Sequence, residues 1–218
     1  MSIISTLLLI IFFLIFYKRN ADKKFWVIFL YVVSSYISDK LPSLIQFDRF
    51  YSFSIFTLIE FTLFSCFFYL SYKERSFKWL VLACYPVFCA VLFYSINYQH
   101  KSNNDFDYLS SSVEAILIII FSILFFYEQL KNPEVIFVYA SKSFWIIVAI
   151  LIYMSATLFL FISTSVITLS EEQSTTMWGI NNTANVIKNL LFAIAFYKPI
   201  ILAIDSSTGK MTRTKMPR

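Results

Sequence analysis

The chain has 218 residues, of which 59% are hydrophobic and 20% aromatic, while only 14% are charged. A soluble domain is about 45–50% apolar and about 25% charged, so this composition excludes a water-soluble globule and points to a polytopic membrane protein. The formal net charge of +5 does not call for nucleic acid, because basic loops and anionic lipid headgroups account for it.

A helix needs about 17–25 mainly apolar residues to cross a hydrocarbon core of about 30 Å. Seven such stretches are read, over residues 3–17, 25–41, 51–71, 77–96, 110–130, 143–168 and 177–198. The runs LLLIIFFLIF and AILIIIFSILFF are apolar on every side, which excludes the in-out alternation of a barrel strand. The expected fold class is therefore all-α, a bundle of about seven transmembrane helices.

The first stretch has no Lys or Arg before it and no small-x-small cleavage site after it, so it reads as a permanent span rather than a signal peptide. The second carries Ser34, Ser35, Ser38 and Asp39, and the third holds Glu60 near its middle. The fourth contains CYPVFC, where Pro86 predicts a kink. The fifth opens with Glu114, the sixth ends near Ser163 and Thr164, and the seventh contains NNTANVIKNL. Connections are short, so residues 1–200 form one transmembrane domain and 201–218 a short basic tail.

All Lys and Arg except Lys40, Arg49, Lys101 and Lys188 fall in the first, third and fifth connections and the tail. Basic loops stay cytoplasmic, so the N-terminus is expected outside and the C-terminus inside. Trp26, Trp79, Trp145 and Trp178 stand near span ends, as an interfacial aromatic belt requires. Cys66, Cys84 and Cys89 read as small core residues, and His100 is the single histidine of the hydrophilic loop NYQHKSNNDFD. Neither suggests a metal site or a disulfide. The connection KNPEVIFVYASK reads as a simple connector. With Gly179 and Gly209 the only glycines, close GxxxG helix pairing is excluded, and packing must rest on Phe, Ile, Leu and serine.

An ionisable group at mid-bilayer costs about 2.5–3.5 kcal/mol on insertion scales and usually faces the bundle interior with a partner. Glu60 and Lys188 are the two nearest the middle of their spans. Both helices run inward, which puts the two groups at similar depth and predicts an ion pair or hydrogen-bonded pair if the helices touch. Asn181, Asn185 and Lys188, and likewise Asn182, Asn185 and Asn189, recur at helical spacing on one broad face of the last span. Two readings follow. In one, the stripe glues the last helix to its neighbours. In the other, the stripe joins Ser34, Ser35, Ser38, Asp39, Glu114, Ser163 and Thr164 around a polar cavity open to the outside, above an apolar floor.

The order of LIEFTLFS, SVEAILIII, FWIIVAILIYMSATLFLF and the Asn-rich last span resembles a group of small bacterial membrane proteins of unknown function, often encoded beside sensor histidine kinases. Glu60, Glu114 and Asn185 carry the resemblance, which implies a bacterial inner-membrane location and a regulatory partner such as a sensor kinase. It implies no active site. A Lys in the seventh span and a carboxylate in the third also resemble the rhodopsin arrangement, which would put retinal on Lys188. Ala184 stands where microbial rhodopsins carry an Asp, and the sixth span lacks their aromatic and proline pattern, so no cofactor is assigned.

The expected function is a sensor or signalling component that binds a small or lipid-like ligand from the outer side and acts through a separate partner, with the lipid bilayer as its setting. Its candidate polar network is Glu60, Glu114, Asn181, Asn182, Asn185, Lys188 and Asn189. The alternatives are a proton-coupled small-molecule transporter, a structural subunit of a membrane complex, and an intramembrane enzyme using Glu60 or Glu114 as general acid or base. No catalytic residue is assigned.

Overall fold

The computed structural model describes residues 2–16, 22–44, 49–98, 107–131, 141–166 and 171–197. His100, most of the connection between 131 and 142, and the basic tail lie outside the described residues. The described residues form seven helices: α1 (Ser2–Ile15), α2 (Lys23–Leu44), α3 (Arg49–Ser71), α4 (Arg75–Tyr98), α5 (Tyr108–Lys131), α6 (Lys142–Val166) and α7 (Glu171–Tyr197). Each coincides with one apolar stretch of the sequence. The main departure is α7, which begins at Glu171 rather than at 177.

Four helical segments are long and apolar enough to cross a membrane: Phe50–Ser71, Arg75–Tyr98, Tyr108–Lys131 and Lys142–Ser163. These support a multi-pass helical membrane protein. The apolar α1 has 14 residues, about 21 Å at 1.5 Å per residue, which is shorter than a hydrocarbon core. The helices α2 and α7 are long enough, at 22 and 27 residues, but carry more polar side chains.

The helices close into a ring in which α2 packs on α1 and α3, α5 on α3 and α6, α6 on α7, and α7 back on α1. The fourth helix stands outside this ring, against α3 and α5. Small side chains allow the direct approach of α3 to α5, with Thr57 Oγ1 and Ser111 Oγ 3.3 Å apart between them. Because α4 touches protein on one side only, Trp79, Leu82, Val87 and Phe93 remain exposed. Pro86 lies inside α4, which continues through it. Its missing N–H frees the carbonyl four residues earlier, Leu82.

Aromatic packing fills the half of the ring nearest the starts of α2, α4 and α6. Phe13 contacts Phe196 at 4.9 Å between centroids where α1 meets α7, and Phe68 meets Phe121 at 5.8 Å between α3 and α5. Lipid tails are as apolar as Phe, so these contacts act through shape complementarity rather than escape from water. Gly179 has no neighbouring heavy atom within 4 Å of where a Cβ would stand, so no close helix approach depends on it. Among the described residues Cys66, Cys84 and Cys89 are free thiols, with Cys66 exposed on the outer face of α3.

Two buried carboxylates clamp the α3–α4–α5 unit at opposite ends. Asp107, 1% exposed, caps α5 by accepting from Ser110 N at 3.1 Å. It also accepts from Ser54 Oγ of α3 at 3.0 Å and from Ser95 Oγ of α4. At the other end Glu128 of α5 is fully buried and accepts the backbone N–H groups of Lys73 and Glu74 in the α3–α4 turn. Close by, the Tyr72 hydroxyl donates to the Phe121 carbonyl at 2.6 Å. Removing an acceptor from buried donors costs about 1–3 kcal/mol per group. Glu128→Ala should therefore lower the unfolding free energy in detergent by about 2–4 kcal/mol, two donors being orphaned. Glu128→Gln, which keeps one acceptor oxygen, should lose clearly less.

Candidate functional site

Lys188 lies near the middle of α7 and is 1% exposed, closed off inside the ring. Its ammonium donates to the Tyr31 hydroxyl of α2 at 2.5 Å. It also sits 4.7 Å from the centroid of the Tyr31 ring and 3.9 Å from that of Tyr153 on α6. The α7 cation is thus held between two tyrosines, one from its ring neighbour α6 and one from α2, which lies beyond α1. Tyr31 is itself wedged against Phe64 of α3, 4.4 Å away, and Phe192 of α7, 6.4 Å away.

Magnitudes show what this cage accomplishes. A lysine at mid-bilayer costs about 2.5–3.5 kcal/mol to insert. A desolvated cation–π contact returns about 2 kcal/mol, and a hydrogen bond to a charged group about 1.5–3 kcal/mol. Two rings and one hydroxyl therefore offset the insertion cost without any carboxylate in direct contact.

The direct pair expected between Glu60 and Lys188 if their helices touched is not among the described ion pairs, since α3 and α7 are not neighbours in the ring. The Tyr31 hydroxyl, which accepts from Lys188, is also within reach of the Glu60 carboxyl. The ion pairs among the described residues are Lys24 with Asp22 and Lys131 with Glu74, both near helix ends. Glu60 and Lys188 still lie within electrostatic reach of each other, and Asp39 adds a weaker influence on the lysine. Glu114 of α5 faces the same interior, within reach of Glu60 and Asp107. Both glutamates are buried, at 5% and 3% exposure, and one oxygen of each, Glu60 Oε1 and Glu114 Oε1, has no hydrogen-bond partner among the described residues.

The asparagine stripe divides because α7 is packed between α1 and α6. Asn189 Nδ2 donates to Ser5 Oγ at 2.8 Å and Thr6 Oγ1 at 3.2 Å, tying α7 to α1. Asn181 Oδ1 accepts from Thr157 Oγ1 of α6 at 3.2 Å. Asn185 is half-buried one turn before the lysine, and Asn182 is exposed. Of the polar residues expected around an outward cavity, Ser35 and Glu114 are buried, Ser34 donates to its own helix at the Tyr31 carbonyl, and Asp39 is exposed. The Thr164 side chain lies outside the described residues. A cleft of about 310 Å³ occurs elsewhere, on the α3–α4 face, with an almost wholly apolar lining that includes Cys66, Tyr69 and Tyr85.

Four residues of this arrangement carry no sequence expectation as partners: Tyr31, Tyr153, Asp107 and Glu128. Asp107 had a readable signal, an N-cap residue directly before an amphipathic start. Tyr31 and Tyr153 had none, because a tyrosine inside an aromatic span looks the same whether it packs or binds.

The bridged geometry makes a definite energetic statement. Lys188→Met should destabilise the folded chain by about 3–5 kcal/mol, as breaking one member of a buried charge cluster does. Adding Glu60→Gln should recover about 1 kcal/mol or more, and strictly additive losses would mean that the two groups do not interact. Tyr31→Phe keeps the ring and removes the bridge, so the coupling between the other two substitutions should shrink in that background. Comparison with protein-family models, with curated proteins and with solved structures gives no match, so the chemistry of this cluster is argued from its own residues.

Proposed function

We propose that the chain is a seven-span protein of the bacterial inner membrane, N-terminus outside and C-terminus inside, that works as a sensor without an output domain of its own. A small or lipid-like ligand arriving from the outer side biases the interior cluster of Glu60, Glu114 and Lys188, and a separate partner such as a sensor kinase reads the change. The observation that carries this reading is the pair of buried carboxyl oxygens, Glu60 Oε1 and Glu114 Oε1, that have no hydrogen-bond partner among the described residues and share the interior of the bundle with the caged Lys188. A buried polar atom left without a partner marks a strain reservoir or a functional role. Two glutamates beside one caged lysine also supply more acceptors than the donors around them can fill, the chemical basis of a two-state element. A ligand that satisfies one arrangement better than the other shifts the population between them.

A proton-coupled transporter is the second reading, favoured by the same ionisable cluster. Alternating access needs polar routes toward both ends, whereas the fully buried Phe64, Phe68, Phe121 and Phe192 stand between the cluster and the starts of α4 and α6. That floor supports the sensor. No cofactor enters the reading, since the Lys188 amine is already engaged by Tyr31 and Tyr153.

The deciding experiment purifies the full chain from its native membranes with cross-linking and measures autophosphorylation of the associated kinase with and without it. Coupling between sites is typically about 5- to 150-fold, so Glu60→Gln should move that activity at least about fivefold. A kinase indifferent to the chain and to this substitution, or no kinase at all, would sink the reading. Orientation is checked separately: a periplasm-active phosphatase inserted between 98 and 107 should be active, and one fused after 218 inactive.

A further inference from the structure

The cluster is not equally isolated from the two ends of the bundle. Toward the start of α5, polar side chains from α3 and α5 face each other in successive rungs. Ser54 donates to Asp107 at 3.0 Å, Thr57 and Ser111 share a hydrogen bond of 3.3 Å, and Glu60 and Glu114 follow one turn deeper. The positions 54, 57 and 60 on α3 and 107, 111 and 114 on α5 recur every three or four residues, so each set lines one helix face. From Asp107 to Glu114 the file runs about 11 Å. All six side chains are at most 6% exposed. Three oxygens along it, Ser110 Oγ, Glu114 Oε1 and Glu60 Oε1, have hydrogen-bonding capacity not met by any described residue, which is the environment in which bridging water is held in proteins.

In the other direction the file ends. The next positions on the same faces are Phe64 and Phe68 on α3 and Ile118, Phe121 and Phe125 on α5, all at most 2% exposed. Of the buried polar side chains beyond that point, Ser122 spends its hydroxyl on the Ile118 carbonyl of its own helix and Ser65 lies at the α3–α4 cleft, while nearer the end of α5 the Glu128 carboxylate is committed to the α3–α4 turn.

We propose that Asp107, Ser54, Thr57 and Ser111 form a one-sided proton path that joins the end of the bundle where α5 begins to the buried glutamates, so that the cluster's ligand includes the proton. This deepens the sensor reading and rests on it. A proton accepted by the Asp107 carboxylate is passed on through hydroxyls and bridging water, each group taking one proton and releasing one. It comes to rest on Glu114 or Glu60. Asp107 returns to its starting state, and the cluster gains one positive charge. The groups that feel the change are Tyr31 and Asp39 from α2, Asp107 at the start of α5, Tyr153 from α6 and Lys188 from α7, while Ser95 of α4 donates to Asp107. Neutralising Glu60 removes the carboxylate that, with Tyr31, faces the caged lysine, and so loosens the link between α3, α2 and α7.

The test uses infrared spectroscopy of the full chain in sealed lipid vesicles, following the C=O stretch of protonated carboxyl groups and assigning it with Glu60→Gln and Glu114→Gln. Two readouts are taken: hydrogen–deuterium exchange of that band, and its response to a pH step applied to one side of the membrane. Thr57→Val removes a rung at nearly constant size and should slow exchange about tenfold, as the loss of one hydrogen bond from the path implies, while Thr57→Ser should exchange at the unsubstituted rate. The band should follow pH only on the side where α5 begins. Absence of any such band at all pH values, or an unchanged rate in both Thr57→Val and Ser111→Ala, overturns the path while leaving the kinase experiment standing. An equal response to pH on both sides overturns the path's one-sidedness and removes the closed floor on which the sensor was preferred to a transporter.

Discussion

A lysine ammonium buried inside a bundle of mostly apolar helices has to be satisfied by the protein, and the arrangement of the helix ring follows from how that is done. Lys188 needs a hydroxyl and two aromatic faces at one depth, and these arrive on α2 and α6 as Tyr31 and Tyr153. Both helices must therefore approach α7 closely enough to reach its interior face. With α6 held on α7, α1 bridges from α7 to α2, and the ring closes through α3 and α5. The cage sets depth as well, because a shift of α2 by one turn, about 5.4 Å, would put a different side chain opposite the ammonium.

Apolar burial does not select this arrangement among others. In water, burying Phe64, Phe121 or Phe192 would stabilise by about 1.5–3 kcal/mol each, but in a bilayer the alternative to a protein neighbour is a lipid tail. What distinguishes one packing from another is the set of polar contacts that only it completes. Asn189 on Ser5 and Thr6 joins α7 to α1, Thr157 on Asn181 joins α6 to α7, and Asp107 joins α3, α4 and α5. Aromatic side chains then fill the space between these fixed points, with ring pairs at 4.0 to 6.5 Å. Serine does what glycine does in many membrane bundles, since Ser54 and Ser111 are small enough to let α3 and α5 approach while adding a hydrogen bond.

The helices themselves were legible in the sequence because length and apolarity are local properties, and seven stretches match seven helices. The depths of Glu60 and Lys188 were legible for the same reason. Adjacency was not. Two groups at equal depth sit next to each other or across a bundle depending on which helices are neighbours, and nothing in LIEFTLFS or NVIKNLLF reports that α3 and α7 are not neighbours in the ring. The exclusion of α4 from the ring was equally hidden, since α4 is as apolar as α5 and differs only in offering fewer polar side chains to its neighbours. The asparagines illustrate the same limit: 100° per residue let Asn181, Asn182 and Asn189 share one broad face on paper, yet a helix wedged between α1 and α6 sends them in separate directions.

The two kinds of buried carboxylate in this bundle differ in a way that separates structure from function. Asp107 and Glu128 each gather donors that are fixed in place, backbone N–H groups and serine hydroxyls, and removing either would leave those donors orphaned. Glu60 and Glu114 accept from no backbone N–H among the described residues, and Glu60 is reached instead by the Tyr31 hydroxyl. A protein that needed only to hold α3 and α5 together already does so at the rungs above, with neutral hydroxyls and at far lower desolvation cost than a carboxyl. Two acids placed one turn deeper, near a lysine already caged by tyrosines, therefore carry a desolvation cost that glutamine or serine would avoid. What an acid adds is a second protonation state, and with it a second balance of forces between α2, α3 and α7.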